Sequence, residues 1–345
     1  MAAMLLSSFA VSAQTTVEID GIWYSLISKV KQATVTGRAE NDYPRSITIP
    51  ATITHNGVAY SVTSIGDRAL WNCYTVKSIT IPESVMNIGV QAFSHNDNLA
   101  SITIPENSQL TSIGNSAFSG CSSLESITLP ESVTSIGNGA FYGCSSLISI
   151  TIPESVTSIG DKAFYECTSL KEVIIENGST TLSLGYNYYY GGGTGEGLFY
   201  DCPLETVYLG RNLSYDSERE CGYSPFYNSN RFPTISLGGD LTKIPDCLFY
   251  ENTALTEITI PESVTSIGNG AFQCCSNLTT ISLPEGVTSI GEWAFFDCGG
   301  LTSITLPESV TSIGMAAFRW CSNLAFITIP KGVTSIGDET FYNCI

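Results

Sequence analysis

The sequence predicts an α/β or mainly β solenoid, a stack of coils with parallel strands, one strand per 23-residue coil. Three observations predict it. A unit of about 23 residues recurs along most of the 345-residue chain. Each unit opens on a short polar–apolar alternation that stops at a proline. The large apolar residues fall at the same offsets in every unit, so a lone coil would leave them in water and only stacking can bury them.

The unit is clearest at 124–147, LESITLPESVTSIGNGAFYGCSSL. It returns at 148–170, 256–278, 279–301 and 302–324, and more loosely at 77–99 and 100–124. About twelve units follow from Ser46, two of them distorted between 171 and 232. Ser126-Ile127-Thr128-Leu129 alternates as a strand with one buried face. Pro130 has no amide to give a ladder and ends it. Val133 to Ile136 is a second, shorter extended piece, and Gly137 permits a tight turn after it. Ala140, Phe141 and Cys144 have the spacing of one helical or 3₁₀ turn. Each unit is thus one coil returning to its starting side, with successive strands in parallel register.

The pattern L-xx-I-x-I/L-P-xx-V-xx-I-G-xx-A-F-xx-C resembles the BspA-type leucine-rich repeat, over about 300 of the 345 residues. Residues 17–30 and 46–66 are similar to that family's N-terminal lead-in. The resemblance implies a leucine-rich-repeat solenoid, a right-handed curved superhelix, on exported surface proteins of bacteria or protists that adhere to host extracellular proteins or other cells. The chain departs from the pattern at 176–232, and the last unit lacks its closing Leu.

Organisation follows. Residues 1–13 (MAAMLLSSFAVSA) read as a signal peptide, with Val11-Ser12-Ala13 as a small-residue cleavage site, although positive residues at the start are missing. Residues 14–60 form a cap with lead-in strands, and 61–345 the repeats. The mature chain is expected to be secreted, held at the cell surface, or periplasmic. No later apolar run is long enough to span a membrane.

Composition excludes several functions. The net charge is -18, from 14 Lys+Arg against 32 Asp+Glu, which repels nucleic acid and anionic membranes. Two histidines, His55 and His95, are too few for multi-His zinc sites and for most Ser-His or Cys-His chemistry. No metal or other cofactor is expected. Nine of the 12 Cys share one repeat position, from Cys73 to Cys344, and Asn96 and Asn252 replace it in two units. A place that accepts Cys or Asn suits a small interior donor to a backbone carbonyl. Residues stacked in one column point the same way, so disulfides within it have poor geometry. Cys221, Cys247 and Cys274 lie off the column, which leaves a Cys221–Cys247 bridge open.

Stacking turns outward positions into stripes. One is hydroxylic: Ser126 and Thr128 continue as Ser149 and Thr151, then Thr259, Thr280, Ser282, Ser303 and Thr305, with Glu257 among them. It is either a solvated sheet of good strand formers or a broad docking face for a large partner. A second stripe is acidic, Glu83, Glu106, Glu131, Glu154, Glu262, Glu285 and Glu308, broken by Lys331. It is a row of solvated turn residues or an attractor of basic patches.

The irregular segment 176–232 holds nine of the 17 Tyr. Tyr186, Tyr188, Tyr189, Tyr190, Arg211, Tyr215, Arg219 and Tyr223 have the composition of adaptable binding loops. The alternative is two elongated repeats whose extra aromatics cover the core. GGGTGEG (191–197) lacks the Gly-Lys-Ser/Thr ending of a phosphate loop. Three functions follow. The first is a non-catalytic exterior protein that binds an extracellular or host protein. The second is a glycan binder using the Tyr-rich segment 185–227. The third is a hydrolase using Asp216, Glu218 or Glu220. The unpaired edge at 325–345 leaves open an oligomer through that edge or a longer natural chain.

Overall fold

Coil stacking dominates the fold because each coil's backbone hydrogen bonds close on its neighbours. The computed structural model describes residues 15–37, 43–185, 197–216, 224–227, 229 and 232–344. Every described element is a strand, turn or bend, and no helix occurs among the described residues. The signal-peptide reading of 1–13 lies outside them.

Two strand columns run along the solenoid. The first holds Ser46–Thr48, Ser78–Thr80, Ser101–Thr103, Ser149–Ile152, Glu172–Ile175, Thr206–Leu209 and Thr234–Leu237, then Glu257–Thr259, Thr280–Ser282 and Ser303–Thr305. Ser126 joins it through a parallel bridge to Ser101. The second column is shorter-stranded, as in Ser112–Ile113, Ser135–Ile136 and Ser158–Ile159, which pair in parallel with Ile113, Ile136 and Ile159 in register. The expectation of one strand per coil therefore becomes two. The Val133–Ile136 piece is a true ladder element, because Thr134, Gly137 and their equivalents donate to the coil before: Gly137 N–H to Ile113 O at 2.8 Å, Gly160 N–H to Ile136 O at 2.8 Å.

The third side is not the helical or 3₁₀ turn that the Ala140-Phe141-Cys144 spacing suggests. It is a stack of bends. Two residues per coil, four apart, sit in the left-handed region: Ser116 (φ 54°) and Gly120 (φ 73°), Lys162 (φ 54°) and Glu166 (φ 58°), even Trp320 (φ 65°). Such residues cost about 1–2 kcal/mol where they carry a side chain. The conformation aligns alternate amides along the stack, so that Ser116, Phe118 and Gly120 donate to the carbonyls of Asn138, Ala140 and Tyr142, each at 2.7 Å. A helix would have turned those donors inward on itself.

Gly137 is required for a reason other than the tight turn. Its φ is not positive, yet a Cβ there would lie 2.6 Å from the Asn115 amide nitrogen and 2.6 Å from the Asn115 side-chain oxygen. Gly114, Gly160, Gly291 and Gly314 face the same approach from the preceding coil. The next residue closes the gap: Asn115 Oδ1 accepts from Asn138 N–H at 2.9 Å and Asn138 Oδ1 from Asp161 N–H at 3.0 Å.

Inside, the side chains form columns. Phe93, Phe118, Phe141, Phe164, Phe199 and Phe226 stack at centroid spacings of 5.1–5.4 Å, and Phe272, Phe295, Phe318 and Phe341 continue beyond a tilted step at Phe249. Cys121, Cys144, Cys167 and Cys202 donate Sγ–H to the carbonyls of Phe93, Phe118, Phe141 and Phe164 at 3.1–3.2 Å. Asn96 and Asn252 make the equivalent bonds to Leu70 O and Phe232 O. Burial pushes the Cys121 and Cys321 thiols up to about 12, so both stay protonated and inert. Cys247, off the column, is disulfide-bonded. Cys221 lies outside the described residues.

The cap is antiparallel. Thr15–Ile19, Ile22–Ile27 and Gln32–Thr36 form a meander, and Thr52–His55 pairs antiparallel with Val58–Ile65. That last strand crosses the expected boundary at residue 60: it pairs in parallel with Gln32–Thr36 and, through Ser64 and Ile65, with the first short repeat strand. The irregular segment follows the elongated-repeat alternative where it is described, since Thr206–Leu209 and Thr234–Leu237 keep the first column in register with Glu172–Ile175. At the far end, Ile327, Ile329, Val333 and Phe341 occupy core positions but are only partly buried.

Gly137→Ala should destabilise the chain by about 1–3 kcal/mol, the range for forced overpacking. Gly143→Ala, where the nearest atom to an added Cβ is at 4.0 Å, should cost only the left-handed penalty, about 1–2 kcal/mol. Denaturant titration of both variants checks the order.

Candidate functional site

Three outward surfaces emerge from the stack. The first is the hydroxylic face of the long strand column. Ser126, Thr128 and Thr151 are exposed and Ser149 half-buried, while Ile127 and Ile150 between them point into the core. Period-two alternation places them there. Register carries the pattern onward, with Thr280 beside Ser303 and Ser282 beside Thr305. At the N-terminal end the hydroxyls bond one another, Ser78 Oγ to Ser46 Oγ at 2.9 Å. The four sequence-predicted residues are thus brought together on one face of two adjacent coils.

The second surface is the acidic column. Glu83, Glu106, Glu131, Glu154, Glu262, Glu285 and Glu308 are all exposed, with Lys331 at the end. Each follows the proline of a Pro-Glu-Ser-Val or related turn, closed by bonds such as Val133 N–H to Pro130 O at 3.0 Å. The serine after it turns inward: Ser132 Oγ donates to Leu110 O at 2.8 Å and Ser155 Oγ to Val133 O at 2.7 Å. The carboxylates therefore stand on a well-tied turn, and solvent reaches them.

The irregular segment gives a different outcome from the one its composition suggests. Tyr186, Tyr188, Tyr189, Tyr190, Arg219 and Tyr223 lie outside the described residues. So do Glu218 and Glu220. Arg211 is not a surface contact but a core anchor. Its surface is 0% exposed, and its guanidinium donates to Pro153 O at 2.7 Å, to Glu154 O, and to Thr180 Oγ1 at 3.3 Å. Desolvation lowers its pKa, countered by Glu154 and Glu176. The planar, multi-donor guanidinium spends its donors on the turn at Pro153 and Glu154, where Pro153 O also keeps its regular bond from Val156 N–H at 3.1 Å. Tyr215 is half-buried. Its hydroxyl donates to Asp246 O at 2.7 Å, and burial, then Asp246, pushes its pKa well above the usual value. It borders a cleft of about 90 Å³ with Leu213, Ser214, Lys243, Pro245 and Asp246.

The third surface escaped the sequence reading. The residue after the core Phe lies on the bend side, half-buried in most coils though buried at Ser94 and Tyr165, and from one coil to the next it is often aromatic. Tyr142, Tyr165 and Tyr200 stack with centroids 5.2 and 4.9 Å apart and rings within 7° of parallel. Tyr227 and Tyr250 continue at 6.0 Å. Further along, Arg319 lies over Phe296, Trp320 and Tyr342 and pairs with Glu339. The signal was present as the Tyr of A-F-Y at 140–142 and 163–165 and of L-F-Y at 198–200 and 248–250, read only as part of a repeat. A shallow cavity of about 400 Å³ opens at the N-terminal end of this stack, lined by Ser116, Ser119, Asn138, Gly139, Tyr142, Asp161 and Lys162. Among the described residues no cluster of His, Cys, Asp and Glu could hold a metal ion, and no helix is long and apolar enough to cross a membrane.

Residues 63–191, 193–251 and 219–345 match the model of the BspA type leucine rich repeat region, in six copies. A leucine-rich repeat protein of Bacteroides ovatus ATCC 8483 is similar in structure, with 31% identity and a TM-score of 0.54 over 95% of this chain and 92% of that one. A leucine rich cell surface protein of Faecalibacterium prausnitzii A2-165 is similar at 28% identity and a TM-score of 0.52, over 97% of this chain and 94% of that one. Among curated proteins, none matches this chain.

Arg211→Leu should lower the melting temperature, because the Pro153 and Glu154 carbonyls lose charged donors worth about 1.5–3 kcal/mol each in favourable cases. Arg211→Lys should recover only part of it, as one ammonium cannot reproduce the fork. Thermal melts followed by circular dichroism read both.

Proposed function

The chain belongs to the BspA-type leucine-rich repeat family, and from that premise we propose that it is an exported, non-catalytic protein that binds an extracellular or host protein at the cell surface. The observation that carries the reading is the hydroxylic face. In-register coils repeat Ser and Thr over the first and last sections of the long strand column, so the surface there is extended, hydrogen-bonded within each section and low in charge. Such a surface is preorganised. A partner laid across it spends little on ordering the side chains it meets.

Three further facts support export. Residues 1–13 have the pattern of a secretory signal. Cys247 is disulfide-bonded, and structural disulfides belong chiefly to oxidising compartments. The similar protein of Faecalibacterium prausnitzii is described as a cell surface protein. The charge of -18 favours a partner with basic patches and gives the acidic column a role in steering its approach.

A variant carrying Ser126→Lys, Thr128→Lys, Ser149→Lys and Thr151→Lys tests the assignment of the face. Binding of the purified chain to an immobilised extracellular-matrix extract should be saturable, and the variant should bind at least about tenfold more weakly, about 1.4 kcal/mol, with an unchanged melting temperature. Saturable binding that the four substitutions leave untouched would contradict it.

A further inference from the structure

The cavity at the start of the tyrosine stack has the make-up of a sugar-binding notch, and we propose that it binds a neutral hexopyranose ring against Tyr142. This goes beyond the protein-binding reading and uses a different side of the solenoid.

The notch arises from a step in side-chain size between coils. Tyr142 and Tyr165 occupy the bend-side position after the core Phe in two successive coils, half-buried and buried respectively, their rings 5.2 Å apart and 5° from parallel. In the coil before, the same position holds Ser119, and in the one before that Ser94. The left-handed bend position is small there too, with Lys162 giving way to Gly139 and then Ser116. Where the large residues stop, the stack ends on a shelf. The cavity of about 400 Å³ occupies that shelf, within the range of about 300–1,000 Å³ common to small-molecule sites.

Its lining divides as a sugar requires. Tyr165 backs the ring of Tyr142 on the side away from Ser119, so the ring face towards the cavity is held flat. The electron-rich face of a phenol attracts the polarised C–H groups on one side of a pyranose. Around it stand groups that give and take hydrogen bonds: the Ser116 and Ser119 hydroxyls, the Asn138 amide, the Asp161 carboxylate and the Lys162 ammonium. Lys162 Nζ lies 5.0 Å from the Tyr165 ring centroid, which places its charge at the rim of the same stack. Asn138 Oδ1 accepts from the Asp161 amide at 3.0 Å, fixing the side chain and leaving its NH₂ as the donor towards a ligand. One carboxylate and one ammonium in the lining, within a chain of charge -18, select a neutral sugar over an acidic one.

Saturation-transfer NMR on the purified chain with D-glucose, D-galactose, D-mannose and N-acetyl-D-glucosamine tests this. At least one sugar should receive saturation on its ring C–H protons with millimolar affinity, as fits a shallow, solvent-open site. Tyr142→Ala should weaken it at least about tenfold, and Tyr142→Phe should retain it, because the ring and not the hydroxyl does the stacking. Ser119→Tyr extends the stack and fills the notch, so it should abolish binding while leaving the melting temperature unchanged or raised; it keeps the test decisive should Tyr142→Ala fail to fold. No saturation of any of the four sugars, or binding that survives Ser119→Tyr, would overturn the proposal. The four-lysine variant of the hydroxylic face should bind the sugar normally, which separates a failure here from a failure of the protein-binding reading.

Discussion

Backbone register between neighbouring coils is the constraint on which the structure depends. Each coil is hydrogen-bonded to its neighbours on three sides: through the long strand column, through the short strand column, which donates to the coil before, and through the stacked bends, which donate to the coil after. The glycine column marks how close the coils come, since a Cβ at Gly137 or Gly160 would fall 2.2–2.6 Å from the backbone or the Asx side chain of the coil before. Phe and Cys then have only one place each. The phenylalanines pack ring on ring, and each thiol satisfies a carbonyl in the bend of the preceding coil. Buried polar groups without partners are costly, so a column that takes Cys, Asn and, after Phe226, Ser229 follows from the accounting of carbonyls rather than from thiol chemistry.

Much of this was legible in the sequence because it is periodic. Ile127 and Ile150 could be placed inside and Ser126 and Thr128 outside from alternation alone, and the Cys column was assigned to interior carbonyl donation from the exchange with Asn96 and Asn252. What escaped was local geometry set by the neighbouring coil. The Ala140–Cys144 stretch has helical spacing, but the next coil supplies acceptors for its alternate amides, so tertiary pairing overrides the local preference. The role of Gly137 was misread for the same reason: its own dihedral does not demand glycine, and the adjacent Asn115 does.

The functional surfaces were less legible. Arg211 had the composition of a contact residue, yet its guanidinium is buried and donates to the Pro153 and Glu154 carbonyls of a neighbouring turn. Sequence composition cannot tell an arginine that faces a partner from one that ties down a turn inside the chain. The outward tyrosines were hidden by the opposite effect. Spread over several coils, Tyr142, Tyr165 and Tyr200 look like ordinary repeat variation, and only stacking turns them into a surface with an end. The size step from Tyr142 to Ser119 matters because a uniform column has no pocket, whereas a column that changes residue does.

Since every coil is held chiefly by its neighbours, damage at one should spread. Hydrogen exchange followed by mass spectrometry on an Ile136→Asp variant measures that directly, as it buries a charge in the middle of the short strand column, where Ile136 is 2% exposed. Protection should collapse over a contiguous block of coils on both sides of the substitution, reaching the strands at 112–113 and 158–159 and the bends between them. Loss of protection confined to residues 124–147, with neighbouring coils as protected as in the parent chain, would show that the coils stand independently and would contradict the account.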